Sequence, residues 1–206
     1  MEGYKLTDTK DQTYGGMQWG EGVEWCALGL ETNFCSPDLI HFYDHPLLAL
    51  LHNPIHADYN PAHLWRGEAA GKIFTDNGMK WGCKRFRTIE KIPLPAIGPR
   101  QRVAYGILCA LAVCDEPNWV RWAESWLNGT DRSIHAAYAA HVAAAAADAA
   151  AADRAAYAAA AAYAAAYAVH AAYAAADVAA YAARAALPGA QAFSLLACAQ
   201  AALLVE

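Results

Sequence analysis

Three kinds of pattern that would identify a reaction or a cellular setting are missing from this sequence of 206 residues. It has no P-loop, Rossmann or serine-triad signature, so nothing in it marks nucleotide or acyl-transfer chemistry. Its six cysteines follow no disulfide-scaffold spacing and no signal peptide precedes them, which favours free thiols. Its apolar stretches at 155–169 and 192–205 are shorter than the roughly 20 residues that span a bilayer. We therefore expect a cytoplasmic protein without a membrane segment.

Glycine and proline are also missing from 130 to 187, and alanine takes most of the positions from 136 to 186. Alanine has the highest helix propensity and loses almost no side-chain entropy in a helix. One helix over this region would be about 80 Å long, much longer than a small domain, so we expect a break near 148–154. Pro188-Gly189 then turns the chain into a last helix at 191–205. The pattern predicts an Ala/Tyr-rich all-α helical bundle.

The first part of the chain instead mixes Gly-rich turns with short apolar runs. Asp76-Asn77-Gly78 is a strong turn signal between segments at 72–75 and 86–92 that have the composition of strands. A helix is predicted from 37 to 51, with Ser36 as its N-cap and Pro46 as a kink or break. This part of the chain is therefore expected to be a small α+β domain.

Three prolines between 93 and 99 mark the clearest boundary in the sequence, because proline continues neither a helix nor a strand. We predict an α+β domain at 1–97 and a helical-bundle domain at 98–206. Helices are expected at 102–114 and at 117–127. The second places three tryptophans on one face: Trp119, Trp122 and Trp126.

The alanine tract carries seven larger side chains at spacings of three and four, which puts them on one slowly drifting helical stripe. This tyrosine stripe consists of Tyr163, Tyr167, His170, Tyr173, Asp177, Tyr181 and Arg184. The tyrosines could be packing knobs between alanines, with their hydroxyls in solvent. They could also form a partner-binding face, because tyrosine gives a large contact area at low entropic cost. Both interpretations stay open.

Charge is distributed unevenly. Residues 1–71 carry three basic and ten acidic side chains, a net −7, whereas residues 72–102 carry eight and two, a net +6. The rest of the chain has four arginines and eight acids, a net −4. The basic centre includes four side chains that we also predict to bind a partner: Lys80, Lys84, Arg85 and Arg87. An acidic protein surface, or the acids of 1–71, is favoured over nucleic acid as what they contact.

Five histidines with nearby acids and a cysteine raise the question of a metal site, because two pairs have i, i+4 spacing. The group comprises His41, His45, His52, His56, His63, Cys35, Asp44 and Asp58. Prolines interrupt the helix that would align both pairs, and no Cys-x-x-Cys accompanies them. We therefore expect surface or partly buried histidines and neither a metal nor another cofactor.

The two halves resemble different families. The small-residue helix at 104–113, the segment at 122–129 and the Ala/Tyr/Asp tract resemble an immunity-protein family found beside bacterial polymorphic toxins. The segment at 30–37, Tyr43 and the run at 65–73 resemble an uncharacterised domain common in bacteriophage genomes. Members of that domain often have His where this chain has Asn33. The resemblances imply a phage or prophage origin, and hence a host-cell cytoplasm.

We expect a non-enzymatic binding protein that inhibits a bacterial defence effector by steric occlusion, as an anti-CRISPR or other anti-defence protein does. One alternative is an immunity protein that neutralises a toxin. Another is an ADP-ribosyltransferase-like enzyme acting on a host protein, with Glu68 assisting transfer from NAD and Tyr4, Lys5 and Arg66 as candidate participants. A homodimer through the alanine face also stays open.

Overall fold

The computed structural model describes residues 1–29, 34, 36–112, 114–145, 178 and 194–206. The chain divides into two compact units, Met1–Ala96 and Ile97–Glu206. Each unit is defined by the contacts that its residues make with one another. Whether the predicted domains 1–97 and 98–206 fold independently stays a prediction.

Antiparallel strands build the N-terminal unit. They are β1 (Glu2–Thr7), β2 (Gln12–Thr13), β3 (Met17–Gln18), β4 (Glu24–Cys26), β5 (Ile40–Phe42), β6 (His63–Thr75) and β7 (Trp81–Ile92). The main sheet has the order β1-β6-β7-β4, and β5 also pairs with β7. Strands β2 and β3 form a separate hairpin around a 3-10 turn at Tyr14–Gly16.

The predicted turn at Asp76-Asn77-Gly78 is confirmed, and it joins β6 to β7. Asn77 and Gly78 have φ values of 49° and 78°, a left-handed backbone that Asn and Gly adopt most readily. The amide of Met79 donates to the carbonyl of Asp76 at 2.9 Å and closes the turn. Both strands extend well beyond the segments predicted at 72–75 and 86–92. They form the longest hairpin of the described chain.

The helix predicted at 37–51 is wrong in its first half. Strand β5 lies there, and the helix α1 spans Pro46–His56. Proline lacks an N–H and has a fixed φ, so Pro46 begins the helix instead of kinking it. His45 is the N-cap, and its Nδ1 accepts from the amide of Leu47 at 3.2 Å.

Aromatic side chains form the core of the sheet. Trp19, Phe42 and Phe86 are buried together, and the rings of Phe42 and Phe86 lie 5.3 Å apart. Glycine makes room for them: a Cβ on Gly3 would lie 2.3 Å from the Phe42 ring, and one on Gly67 would lie 2.6 Å from Phe86. The core therefore requires glycine, which has no Cβ, at one position on β1 and at the position paired with it on β6.

Helices build the described part of the C-terminal unit. They are α2 (Pro99–Leu111), α3 (Pro117–Leu127), α4 (Ile134–Ala145) and α5 (Leu195–Ala202). The predicted tryptophan face of α3 is confirmed, since all three of its tryptophans are buried. Helix α5 packs on α2, and α4 packs on α3. None of the helices in the described ranges is long and apolar enough to cross a membrane.

The predicted fold class, a small α+β domain followed by an Ala/Tyr-rich all-α bundle, is wrong. The protein is mixed, with a five-stranded antiparallel sheet and five helices among its described residues, and its C-terminal part is not clearly an all-helical bundle. Alanine favours a helix through its backbone but buries little apolar area, so its abundance does not specify how helices pack. The predicted break near 148–154 lies outside the described residues.

Candidate functional site

A cavity of about 410 Å³ lies in the N-terminal unit, a volume within the usual range for small-ligand sites. Its wall comes from parts of the chain that are distant in sequence: β1, the β2–β3 hairpin, the segment 36–41, the region from Tyr43 to Tyr59, and Lys80. The described lining residues include two lysines and two histidines but no aspartate or glutamate. This is unexpected, because residues 1–71 carry ten acidic side chains.

Lys5 is the most unusual residue of this lining. It is only 8% exposed, although a lysine on a strand is normally solvated. Its Nζ donates to the carbonyl of His41 at 2.7 Å and lies 5.2 Å from the ring centroid of Trp19. Burial disfavours the charged ammonium and lowers the pKa of Lys5 from 10.5 to about 8.

The ammonium of Lys5 has unused hydrogen-bonding capacity. It can donate three hydrogen bonds, and among the described residues the carbonyl of His41 is its one hydrogen-bond acceptor. Within the same part of the chain, no carboxylate forms an ion pair with it. An acceptor brought by a ligand can therefore take up the donors that remain.

Histidine and tyrosine side chains form another part of the wall. The Nε2 of His41 lies 2.6 Å from the carbonyl oxygen of Phe34. A carbonyl only accepts, so this nitrogen carries the proton when the ring is neutral. Burial lowers the pKa of His41 and thereby favours the neutral ring. Nearby, the hydroxyl of Tyr43 lies 3.0 Å from Nδ1 of His56, and burial raises the pKa of Tyr43 well above its ordinary value.

A second polar cluster lies around Asp11. Its Oδ1 accepts from Nδ1 of His63 at 2.7 Å and from Nε1 of Trp65 at 3.0 Å, and its Oδ2 accepts from Nζ of Lys91 at 2.8 Å. Desolvation raises the pKa of Asp11, but the donors outweigh it and leave the pKa below its ordinary value. Both oxygens are therefore occupied, and the cluster fastens the loop after β1 to β6 and β7.

The four predicted basic residues do not form one surface. Lys80 lines the cavity, with its Nζ 5.6 Å from the ring of Phe34. The Nζ of Lys84 donates to the carbonyls of Gly29 and Asp38.

The two predicted arginines of β7 are exposed among acids. Nε of Arg85 lies 3.9 Å from Glu24, and Arg87 is a cross-strand neighbour of both Glu68 and Glu24. Alternating charge of this kind neutralises a surface and does not favour a polyanion. The partner-binding role predicted for these residues stays a prediction.

Every member of the tyrosine stripe lies outside the described residues, namely Tyr163, Tyr167, His170, Tyr173, Asp177, Tyr181 and Arg184. The structure therefore does not decide between packing knobs and a binding face.

The candidate metal residues have separate roles. His52 is fully buried and its Nδ1 lies 2.9 Å from the carbonyl of Met79, His45 caps α1, and His63 contacts Asp11. Cys35 lies outside the described residues. Across the described ranges, no three His, Cys, Asp or Glu side chains are placed to share a metal ion.

The residues named for the ADP-ribosyltransferase alternative lie on two faces of the sheet. Strand register places Tyr4 beside Arg66, and alternation along β6 puts Glu68 on the face of Arg66. Lys5 lies on the opposite face, beside Trp65. The structure thus does not bring Lys5 together with Glu68.

Sequence reasoning named Lys5 only in that alternative and did not find the cavity. No local signal distinguishes it from a surface lysine, because its burial depends on Trp19 and His41, which belong to other elements. Tyr59 was missed for the same reason. Comparisons of the chain with protein-family models, with curated proteins and with solved structures find no match.

Proposed function

We propose that this protein acts by binding, and that the cavity of its N-terminal unit receives an acidic group of its partner. One observation carries the proposal: Lys5 is buried, has no carboxylate partner among the described residues, and lines a cavity whose described lining residues include no Asp or Glu. Lys80 adds a second positive charge to the same wall. The ligand chemistry that matches is a carboxylate or a phosphate.

Electrostatics supports this choice of ligand. An ammonium taken out of water loses its hydration, and the lowered pKa of Lys5 reflects this loss. A bound anion would restore a charged hydrogen-bond partner in a site of low dielectric constant, where such bonds are strong. Binding should therefore raise the pKa of Lys5 and take up a fraction of a proton near pH 8.

The class of partner in this proposal comes from the sequence resemblances alone. The partner is a bacterial defence effector, and the bound protein covers its functional surface inside the host cytoplasm. A toxin neutralised by an immunity protein is the alternative. In both cases an Asp or Glu side chain of the partner would enter the cavity, and a free small anion is the other source of the same chemistry.

Titration with small anions tests the cavity directly. The probes are succinate and inorganic phosphate, with succinamide as the uncharged analogue, and the readouts are calorimetry and the NMR signal of the Lys5 side chain. Wild-type protein should bind an anion and not succinamide, and Lys5→Met should weaken binding at least about tenfold. Lys72→Met is the matched control, because Lys72 is exposed and does not line the cavity.

A second arm separates the two sources of the anion. A protein that wild type and Lys72→Met capture stoichiometrically from bacterial lysate should be lost in Lys5→Met and displaced by excess succinate. Anion binding without any such displacement would assign the cavity to a free ligand. If Lys5→Met keeps its fold and binds every probe and protein as wild type does, the proposal is wrong.

A further inference from the structure

Lys5 is held at the cavity by contacts that leave the lone pair of its amine unused. Its Nζ donates to the carbonyl of His41 at 2.7 Å and lies 5.2 Å from the ring centroid of Trp19. The ring N–H groups of these two residues are directed elsewhere: Nε1 of Trp19 donates to Oγ1 of Thr13 at 2.9 Å, and Nε2 of His41 lies 2.6 Å from the carbonyl oxygen of Phe34. A carbonyl oxygen only accepts, so the neutral form of Nζ keeps a lone pair that no described donor occupies.

The surroundings of Lys5 favour this neutral form. The residue is only 8% exposed, and no described carboxylate forms an ion pair with it. Lys80 adds a second cation to the wall of the same cavity. Desolvation and a neighbouring cation are the two conditions under which a lysine becomes a nucleophile near neutral pH. The lowered pKa of Lys5 agrees with this geometry.

We propose that Lys5 is a covalent capture site, whose neutral amine forms an imine with the carbonyl carbon of a small aldehyde or ketone that enters the cavity. Nζ attacks this carbon and forms a C–N bond, while the π electrons of the carbonyl move to its oxygen. One proton passes from the nitrogen to that oxygen and gives a carbinolamine. The C–O bond then breaks, the second N–H proton leaves with the oxygen as water, and a C=N bond remains. This step consumes no oxidant and no reductant.

An acidic group on the carbonyl compound should improve capture. When the amine of Lys5 is neutral, Lys80 still gives the cavity wall a positive charge, and the described lining residues include no Asp or Glu. The preference for an acidic compound, such as an α-oxo acid, rests on the proposed function, whereas imine formation rests on the buried amine of Lys5. The cavity, at about 410 Å³, has room for a molecule of this size.

Lys10 provides an internal control for the reactivity of Lys5. Both lysines lie between Glu2 and Glu21, so a Glu-specific protease releases them on one peptide, 3–21. Lys10 is exposed and does not line the cavity. Fragmentation of this peptide in a mass spectrometer distinguishes modification at one lysine from modification at the other. The comparison therefore does not depend on how well two different peptides are detected.

The test is to incubate the full chain at about pH 8 with glyoxylate or with propanal, in the presence of cyanoborohydride, which reduces an imine to a stable secondary amine. Glyoxylate should leave a carboxymethyl group on the lysine, and propanal a propyl group. The reaction is stopped at low conversion, and circular dichroism checks that the protein is still folded. Lys5 should be modified at least about tenfold faster than Lys10 in the folded protein, and at a similar rate in concentrated urea.

The proposal is overturned if Lys5 of the folded protein reacts no faster than Lys10. It is also overturned if the preference for Lys5 persists in urea, because the local sequence and not the cavity would then cause it. The ratio of Lys5 to Lys10 modification should be larger for glyoxylate than for propanal. Equal ratios with rapid modification of Lys5 would support covalent capture and contradict the anion site of the proposed function. Calorimetric binding of succinate without preferential modification of Lys5 would support the anion site and overturn covalent capture.

Discussion

The two units differ in what they bury. The described residues contain five buried polar or charged side chains, and all of them belong to the N-terminal unit: Lys5, Thr7, His52, Asn53 and Thr88. The described core of the C-terminal unit is filled by aromatic, aliphatic and thiol-bearing side chains, with Trp119 fully buried. The N-terminal unit, called the sheet unit below, thus buries polar and titratable side chains, whereas the C-terminal unit, called the helical unit, depends mainly on apolar packing in its described part.

Backbone geometry explains this difference. Around the sheet, loops and strand ends leave carbonyls that a buried side chain can reach: Thr88 donates to the carbonyl of Val23 at 3.0 Å, and the amide of Asn53 donates to the carbonyl of Tyr59 at 2.9 Å. A helix uses most of its own carbonyls, so His52 and Asn53, which lie on α1, hydrogen-bond the carbonyls of Met79 and Tyr59 outside that helix. The buried polar side chains of the N-terminal unit are therefore satisfied mainly by main-chain carbonyls of the loops and strands around them.

Removing the central tryptophan of α3 should have the largest effect and should be confined to one unit. Trp119 is fully buried and its ring lies 5.8 Å from that of Trp122, so Trp119→Ala should lower the free energy of unfolding by about 4 kcal/mol. Hydrogen exchange followed by mass spectrometry should show faster exchange in α2 and α3 and little change in β6.

The control for this substitution is Tyr138→Ala, which removes an aromatic side chain of α4 that is 58% exposed. It should change the free energy of unfolding by less than about 1 kcal/mol. If Trp119→Ala accelerates exchange in β6 as much as in α3, the two units unfold together and the comparison between them fails.

The next-largest effect on stability is expected from Lys5, the buried lysine of the sheet unit. The pKa of Lys5 is lowered from 10.5 to about 8 in the folded protein, which corresponds to about 3 kcal/mol. Between pH 8 and pH 10.5 the unfolded chain binds more protons than the folded chain. This contribution therefore makes the folded state more stable as the pH rises. Urea unfolding should show that the stability of wild type relative to Lys5→Met increases by about this amount from pH 7 to pH 10.5.

Comparing variants is necessary because other groups titrate in the same range. Burial raises the pKa of Cys83 to about 11 and raises that of Tyr43, and both thereby oppose Lys5 at alkaline pH in either protein. A difference between wild type and Lys5→Met that stays constant with pH would show that Lys5 is solvated. The main reason to propose that the cavity binds an anion would then be removed.

Lowering the pH should reduce the stability of the same unit, because His52 is buried in its neutral form. Burial lowers the pKa of this histidine from 6.5 to about 4, so the unfolded chain gains its proton first as pH falls. Its contribution, about 3 kcal/mol, is fully present above pH 6.5 and is lost towards pH 4. His52→Asn, whose Nδ2 takes the place of the histidine Nδ1 and can still donate to the carbonyl of Met79, should show a correspondingly weaker loss in urea titrations over this range.

How far the sequence could predict this fold depends on how local each signal is. The β6–β7 turn follows from Asp76-Asn77-Gly78 alone, and the face of α3 follows from tryptophan spacing. The helix predicted at 37–51 failed because β5 is created by pairing with β7, about forty residues later, and no local pattern records that pairing. The alanine tract predicts helix but not packing, which led to the wrong fold class.

The candidate site was less predictable still. Its wall combines residues from separate segments, and each of them has an ordinary local interpretation: Lys5 resembles a solvated strand lysine, and His41 and His56 resembled parts of metal-binding pairs. Only the folded arrangement shows that two lysines line one cavity and that no Asp or Glu is among its described lining residues. Such a constellation becomes visible when the sheet and the loops around it are assembled.

The smallest expected effect lies at the start of α3 and gives the helical unit its own titratable contact. Glu116 is the N-cap, and its carboxylate accepts from the amides of Asn118 and Trp119. Desolvation raises the pKa of Glu116, but these donors outweigh it and leave the pKa below its ordinary value. Glu116→Ala should therefore lower the free energy of unfolding by about 1 kcal/mol at pH 7, as loss of an N-cap does.

Because the folded-state pKa of Glu116 is lowered, this contribution is present above the unfolded value of 4.5 and disappears as pH falls below it. Denaturant titrations of wild type and Glu116→Ala should differ at pH 7 and converge at low pH, with Glu124→Ala, a substitution on the exposed side of the same helix, as the control. A difference that persists at low pH would mean that Glu116 acts through packing. The helical unit would then lack the pH response that its N-cap is expected to give, and the contrast with the sheet unit would become sharper.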